Sequence, residues 1–483
     1  SGDKYVSWTF RKAPKFFDVV TYTGTGSPQS IPHNLGSIPG CIITKERDGA
    51  TGWAVYHRAN TAAPATQRLI LEATYPTNTD NTYWNNTAPT DTHFTVGSTA
   101  RTNSNGKNLV AYIFADNSAE DAEEQMIKCG SFTTNSSGGA TVNLGWQPQF
   151  LIFKIASGTA DGWYMFDTMR DFAASTSSAL FANTSAAEAS SNGNTKVTSN
   201  GFDISNQQNS VTYIYMAVRA PMMVEPEAGT DVFGISARAG NGVATTVPAG
   251  FAVDTIINQA RNAIGPGQPY AFDRIRGKNK VLDVHNGNAE VSDTTSVIGF
   301  DVMDGVVQGT GATAGRVNYV YGSIFINYFW KRAKGFFDVV PYTGNATPSV
   351  GHRLNVPHAL GVAPEMLIHK RRDSTSSWQV LHKDAGGGYL ENTSAFYTSA
   401  NGATVDMADY VTSTTFSIGN WVNAWNNNTS GSGYVVYLFA SLDGISKVGS
   451  YTGNGSSQTI NCGFGAGSRF ILIKRTDATG DWY

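Results

Sequence analysis

Charge is scarce in this sequence. Of 483 residues only 15 % are Asp, Glu, Lys or Arg, against about 25 % in a typical soluble domain. The formal net charge is −3, and no run of Lys or Arg would track a phosphate backbone, so nucleic-acid binding is not expected. No apolar run reaches the roughly 20 residues that span a bilayer, so membrane insertion is not expected either, and no signal-peptide pattern stands at the start. Cysteine is nearly missing. Cys41, Cys129 and Cys462 are odd in number and far apart, whereas a disulfide framework or a zinc site needs paired, closely spaced ligands. All three read as small buried strand residues.

What replaces charge is glycine, with 51 residues, together with abundant Ser, Thr and Asn and an aromatic content of 12 %. Turn formers and hydroxyls with few Lys and Glu disfavour helices and suit short strands. At roughly 150 residues per domain, the length implies several domains.

The organising feature is a repeat. Phe16-Phe17-Asp18-Val19-Val20-Thr21-Tyr22-Thr23-Gly24 returns 320 residues later as Phe336 to Gly344 with one change, Thr21 to Pro341. Repeats of this kind mark modular architectures. Residues 1–12 read as the last strand of a preceding module, because Tyr5 to Lys12 stand before the first copy where Phe325 to Arg332 stand before the second. Modules then run over 13–117, 118–220, 221–333 and 334–443, the fourth copying the first with about five residues inserted near Ala346 to Arg353. Residues 444–483 copy the start of the second module and stop within it. The expected whole is a three-module cycle seen through a window on a longer polypeptide. The alternative is end pieces that complete each other between neighbouring subunits.

Each module holds eight to ten short strands punctuated by Gly, Asn and Pro. That predicts an all-β chain of tandem antiparallel β-sandwiches, jelly-roll or concanavalin-like. The glycine turns at Tyr22 to Gly26 and Arg238 to Gly242 read as hairpin connections, the second with an Asn-Gly pair suited to a type I′ turn. Short helices are expected only near Ala119 to Gln125 or Ser185 to Ser191.

The segments FFDVV, His33-Asn34-Leu35-Gly36, Cys41 to Lys45, Trp53 to His57, Phe94 to Gly97 and Val110 to Ala115 resemble a repeat module of tail-fibre and appendage proteins of tailed phages, marine ones in particular. Asp167 to Arg170 with Leu180 to Asn183, and Asp273 to Gly277 with Lys280 to Leu282, resemble a further segment of that module. The resemblance covers almost the whole chain. It implies sandwich modules at a virion surface, hence extracellular. They would space or carry host-binding surfaces, with other virion proteins as partners and, by analogy with phage fibres, a homotrimer. Module 3 departs from the pattern around Ala252 and Asn258, where the usual Pro and Lys are missing.

No catalytic constellation, cofactor or metal site is expected. His33, His358, His57 and His382 fall at two equivalent places, but the other modules put different residues there, which suits structure better than metal. Asp167 with Arg170 and Asp273 with Arg276 read as ion pairs within a module. Gly-rich stretches lack the strand-to-helix context of a phosphate cradle, and no Gly-x-Ser-x-Gly elbow occurs. The best binding candidates are aromatic residues in polar loops: Tyr75, Tyr83 and Trp84, and Trp421, Asn423 and Trp425. Rings stack on sugars and amides bond hydroxyls. The expected function is therefore a non-catalytic virion structural protein that reaches or binds the host surface. A lectin-like glycan-binding module is the alternative, and a polysaccharide depolymerase, which would need two carboxylates across a cleft, is a more distant one.

Overall fold

The structure is a computed structural model. It describes residues 5–121, 124–170, 172–174, 177–189, 195–221, 223–262, 267–311, 316–319, 323–345, 354–385, 388–390, 397–398, 407–418 and 427–483. The five-residue insertion near Ala346 to Arg353 lies outside them. The chain is all-β and forms two compact units, the first mainly residues up to Ala220 and the second mainly Pro221 to Tyr483. No helix among the described residues is long and apolar enough to cross a membrane.

The first module shows the plan. Its strands are β1 (Phe17–Thr23), β2 (Gln29–Pro32), β3 (Pro39–Glu46), β4 (Ala54–His57), β5 (Gln67–Ile70), β6 (Asn78–Thr79), β7 (His93–Val96) and β8 (Asn108–Ala115). Six form one antiparallel sheet in the order β1-β8-β3-β4-β5-β6, and β2 pairs with β7 in a small second sheet. Alternation along β3 explains the layering: Ile42 and Thr44 are buried, while Ile43 and Lys45 on the opposite face are partly exposed.

The glycine turn after β1 is therefore not a hairpin. β1 pairs with β8 and β2 with β7, so Tyr22 to Gly26 carries the chain from one sheet to the other. The same correction holds for Arg238 to Gly242, which joins the strands Phe233–Ala239 and Thr245–Val247 of different sheets. Gly242 has φ of 65°, but Asn241 is not among the residues with positive φ. Its side chain instead accepts the N–H of Val243 at 3.0 Å, a local Asx bond that satisfies the turn without a type I′ pair.

The plan recurs. Module 2 pairs a five-stranded sheet with a three-stranded one, and module 3 a six-stranded sheet with a three-stranded one. Among the described residues, module 4 has a four-stranded sheet with Phe337–Thr343 beside Gly433–Phe439, plus two small two-stranded sheets. The 320-residue period is kept in three dimensions. Trp8 and Phe10 touch the ring of Phe150 (centroids 5.8 and 6.1 Å), and Tyr328 and Trp330 touch Phe470 (5.3 and 5.7 Å).

Four expectations fail locally. Tyr5 to Lys12 form no strand; they are held instead by ring contacts and by Trp8 Nε1–H donating to Asp167 Oδ2 at 3.0 Å. Residues 444–483 form no sheet. In module 2 the strands Ile127–Thr133 and Pro148–Ile155 both pair with Thr212–Arg219, and the copy has no counterpart of that central strand. Cys462 accordingly is neither in a strand nor buried, whereas Cys41 and Cys129 are both. The described residues of Ala119 to Gln125 and Ser185 to Ser191 are not helical; the one α-helical turn among the described residues is Ala100–Asn103.

Candidate functional site

The near-identical FFDVV segment holds a turn. Asp18 is 2 % exposed; its carboxylate accepts the N–H of Val19 and of Asn34, both at 2.8 Å, and pairs with Lys12 at 2.7 Å. Burial alone would raise the carboxyl pKa, but the Lys12 ammonium and the two backbone amides outweigh it and hold it below its usual range. Asp338 repeats this with Val339 (2.8 Å), Ala359 (2.9 Å) and Arg332 (2.6 Å). The turn it holds contains the repeated histidine. His33 Nδ1 accepts the N–H of Leu35 and Nε2–H donates to Thr90 O, both at 3.2 Å; His358 does the same with Leu360 and Thr412. With both ring nitrogens of each engaged by backbone, neither histidine offers a lone pair to a metal. Among the described residues no three His, Cys, Asp or Glu side chains gather to hold one.

The most elaborate polar chemistry lies where one sandwich packs on the next. Lys154 and Trp163 are cross-strand neighbours in module 2. Lys154 is fully buried and its ammonium donates to Thr74 O of module 1 at 2.6 Å and to Asp161 O of its own turn. Trp163 Nε1–H donates to Ile70 O at 2.9 Å. Burial pushes the Lys154 ammonium down to about 8, so it stays charged at neutral pH. Beside it, His57 Nε2–H donates to Tyr215 O at 2.9 Å while Nδ1 accepts the N–H of Ala59 at 3.2 Å. Burial pushes that imidazole down to about 4.

The second unit builds the same clamp between modules 3 and 4. Lys370, fully buried, donates to Gly287 O at 2.9 Å and to Ser376 O at 2.6 Å, and Trp378 Nε1–H donates to Asp283 O at 2.8 Å. An ionic lattice reinforces it. Arg276 pairs with Asp273 (2.5 Å) and Glu290 (3.2 Å), Arg372 forms a two-point pair with Glu290 (both 2.9 Å), and Tyr437 O–H donates to Asp273 at 2.7 Å. Burial opposes the charges, but Arg372 and Arg276 hold the Glu290 carboxyl below its usual range, and the carboxylates raise Arg276. The first unit has a lighter version, with Arg170 on Asp167 at 2.7 Å and on Glu188 at 3.5 Å. These carboxylates are committed to arginines and hydroxyls, an arrangement that holds surfaces together.

The proposed glycan residues fare differently. Tyr83 and Trp84 are 4 % and 1 % exposed, and Trp84 packs edge-on against Tyr56 at 5.7 Å. They belong to the core, because the loop folds their rings beneath it, and present no face to a sugar. Trp421, Asn423 and Trp425 lie outside the described residues. The clamp was legible in part: Lys45 and Trp53, Lys370 and Trp378, and Lys474 and Trp482 stand eight residues apart, and Lys154 and Trp163 nine. Gln259 and Pro269 occupy the corresponding positions of module 3, and the boundary between the compact units falls just before that module.

Two stretches of the chain, residues 1–220 and 228–483, match the family described as a domain of unknown function, DUF7483. The chain belongs to the DUF7483 family. No curated protein matches it, and no solved structure does. The two stretches of DUF7483 match meet near the boundary of the compact units, so each covers one pair of clamped sandwiches.

Proposed function

We propose that this DUF7483 chain is a non-catalytic structural protein of a phage virion, a tail fibre or similar appendage whose repeated sandwiches reach or bind the host surface. The observation that carries the reading is the Lys-Trp clamp, built alike between modules 1 and 2 and between modules 3 and 4. A buried lysine and a tryptophan that reach across to the neighbouring module's carbonyls fix one sandwich on the next, which is what a load-carrying spacer needs and a catalyst does not. The resemblance of the repeat to phage appendage modules supplies the biological setting and the expectation of a trimer.

Immunogold labelling of phage particles that carry this protein tests it: label on the tail or its appendages is expected, and particles without label would overturn the reading. Incubation of the purified chain with host polysaccharide should release no reducing ends; release would move the protein to the depolymerases. The lectin-like alternative loses the rings of Tyr83 and Trp84 to the core and keeps Tyr75 of the same loop, which is 67 % exposed.

A further inference from the structure

Module 4 meets module 3 through the outer face of its large sheet, and module 1 has the same face covered by Phe10 at Phe17 and Phe114 (5.6 and 5.4 Å) but left partly exposed at Val19, Trp53, Val110 and Tyr112. In module 4, Val339 and Val435 are fully buried and Tyr437 and Trp378 are each 5 % exposed. Their counterparts Val19, Val110, Tyr112 and Trp53 are all partly exposed. The side chains are nonetheless set in the same geometry. Trp53 stacks on Tyr112 at 6.2 Å and 27°, and Trp378 on Tyr437 at 6.2 Å and 29°.

The matching polar groups of the two faces differ in whether they have partners, and Thr21 stands where module 4 has Pro341. Trp378 Nε1–H, Tyr437 O–H and the Arg372 guanidinium bond to Asp283 O, Asp273 and Glu290 of module 3. Trp53 Nε1–H, Tyr112 O–H and the Arg47 guanidinium have no hydrogen-bond partner among the described residues. Arg47 stands where Arg372 does: its N–H donates to Asn108 O (2.8 Å) as that of Arg372 does to Gly433 O (2.9 Å). Lys45, lacking a neighbour's carbonyl, turns to Glu46 O and Gly49 O as well as Thr51 O. Four apolar side chains and three unpaired donors in the pattern of a formed interface mark a surface made to be covered.

We propose that this face of module 1 docks a β-sandwich of the module 3 kind, joined to it through Tyr5–Lys12. The partner must offer what module 3 offers: two turn carbonyls, a carboxylate for the tyrosine and a second carboxylate for the arginine. Tyr5–Lys12 already lie in the seat of module 3's last strand. Lys12 pairs with Asp18 as Arg332 does with Asp338, and Trp8 and Phe10 meet Phe150 as Tyr328 and Trp330 meet Phe470. The inference concerns how modules stack and does not depend on the virion assignment.

The test extends the full chain by placing a second copy of residues 221–324 ahead of Tyr5. Modification of Lys45 by reductive methylation and of Arg47 by phenylglyoxal should slow at least about tenfold relative to the unextended chain, the factor that corresponds to about 1.4 kcal/mol of protection. Arg47→Glu should restore Lys45 reactivity, and Glu290→Arg in the added copy should protect it again. Unchanged reactivity beside a protease-resistant added module overturns the proposal, as does a dimer of the unextended chain in which Lys45 and Arg47 are protected. If the extension fails to fold, a full chain with Lys370, Arg372 and Trp378 changed to alanine offers an uncovered module 3 in trans. Protection of Arg47 by the same factor on mixing then carries the proposal, and no protection overturns it.

Discussion

The indole N–H of Trp163 donates to the carbonyl of Ile70 at 2.9 Å, across the junction of two sandwiches. Trp163 is 4 % exposed, so neither partner has water to fall back on. Trp163→Phe keeps most of the ring and strands the carbonyl, at a cost of about 1–3 kcal/mol. Trp163→Ala also opens a void and should cost about 3–5 kcal/mol. Urea unfolding followed by circular dichroism reads both; equal midpoints for Trp163→Phe and the parent chain would mean the bond carries nothing.

His57 makes the same junction sensitive to acid. Its imidazole titrates near 4 when folded and near 6.5 when unfolded, so between those values only the unfolded chain binds the proton. The neutral side chain's contribution is intact above about pH 6.5 and falls by about 3 kcal/mol as the pH drops to about 4. His57→Gln should flatten that part of the stability profile. A variant whose stability declines between about pH 6.5 and 4 as steeply as the parent's would show that other groups set it.

Asp18 and Asp338 should be equally intolerant of change. Alanine at either position leaves two backbone amides of a buried turn without an acceptor, a loss of about 1–3 kcal/mol each. For Asp18 the carboxyl is held below its usual value, so its share of stability is present above about pH 4 and lost as the pH falls through the folded value. Amide hydrogen exchange at Asn34 and Ala359 is the direct measurement, and unchanged protection in the alanine variants would contradict it.

The two Asp-Arg pairs should separate by burial. Arg276 and Asp273 have fully buried side chains, and Arg276→Ala leaves the Asp273 carboxylate without its cation while Glu290 keeps Arg372, a loss of about 3–5 kcal/mol. The Arg170 side chain is 10 % exposed, and its second partner Glu188 is 37 % exposed. Arg170→Ala should therefore cost less than Arg276→Ala. Thermal unfolding of both variants, followed unit by unit through limited proteolysis, checks the order; the reverse order would sink it.

Strand alternation and turn residues made the all-β class and the sandwich plan legible, since inward and outward side chains repeat every second residue. The module 4 copy of β1 follows the same rule: Phe337 and Val339 lie in one core cluster, and Val340 and Tyr342 in another. Turn chemistry was less legible. A glycine turn reads alike whether the next strand pairs beside it or crosses to the facing sheet, and pairing is decided by strands far along the chain, β8 for β1 and β7 for β2.

The sequence by itself determined the repeat, its period, the all-β class and the scarcity of charge. It also held the Lys-Trp spacing and its break in module 3, because repetition exposes any position that every copy but one keeps. Only the tertiary structure decided what those residues touch. Tyr83 and Trp84 look like surface rings because their neighbours are polar, yet the fold buries them. Trp53 and Trp378 occupy equivalent places in the repeat, yet one is partly exposed and the other buried. The difference lies in whether a neighbouring sandwich covers the face, and burial by a separate module leaves no mark on the local sequence.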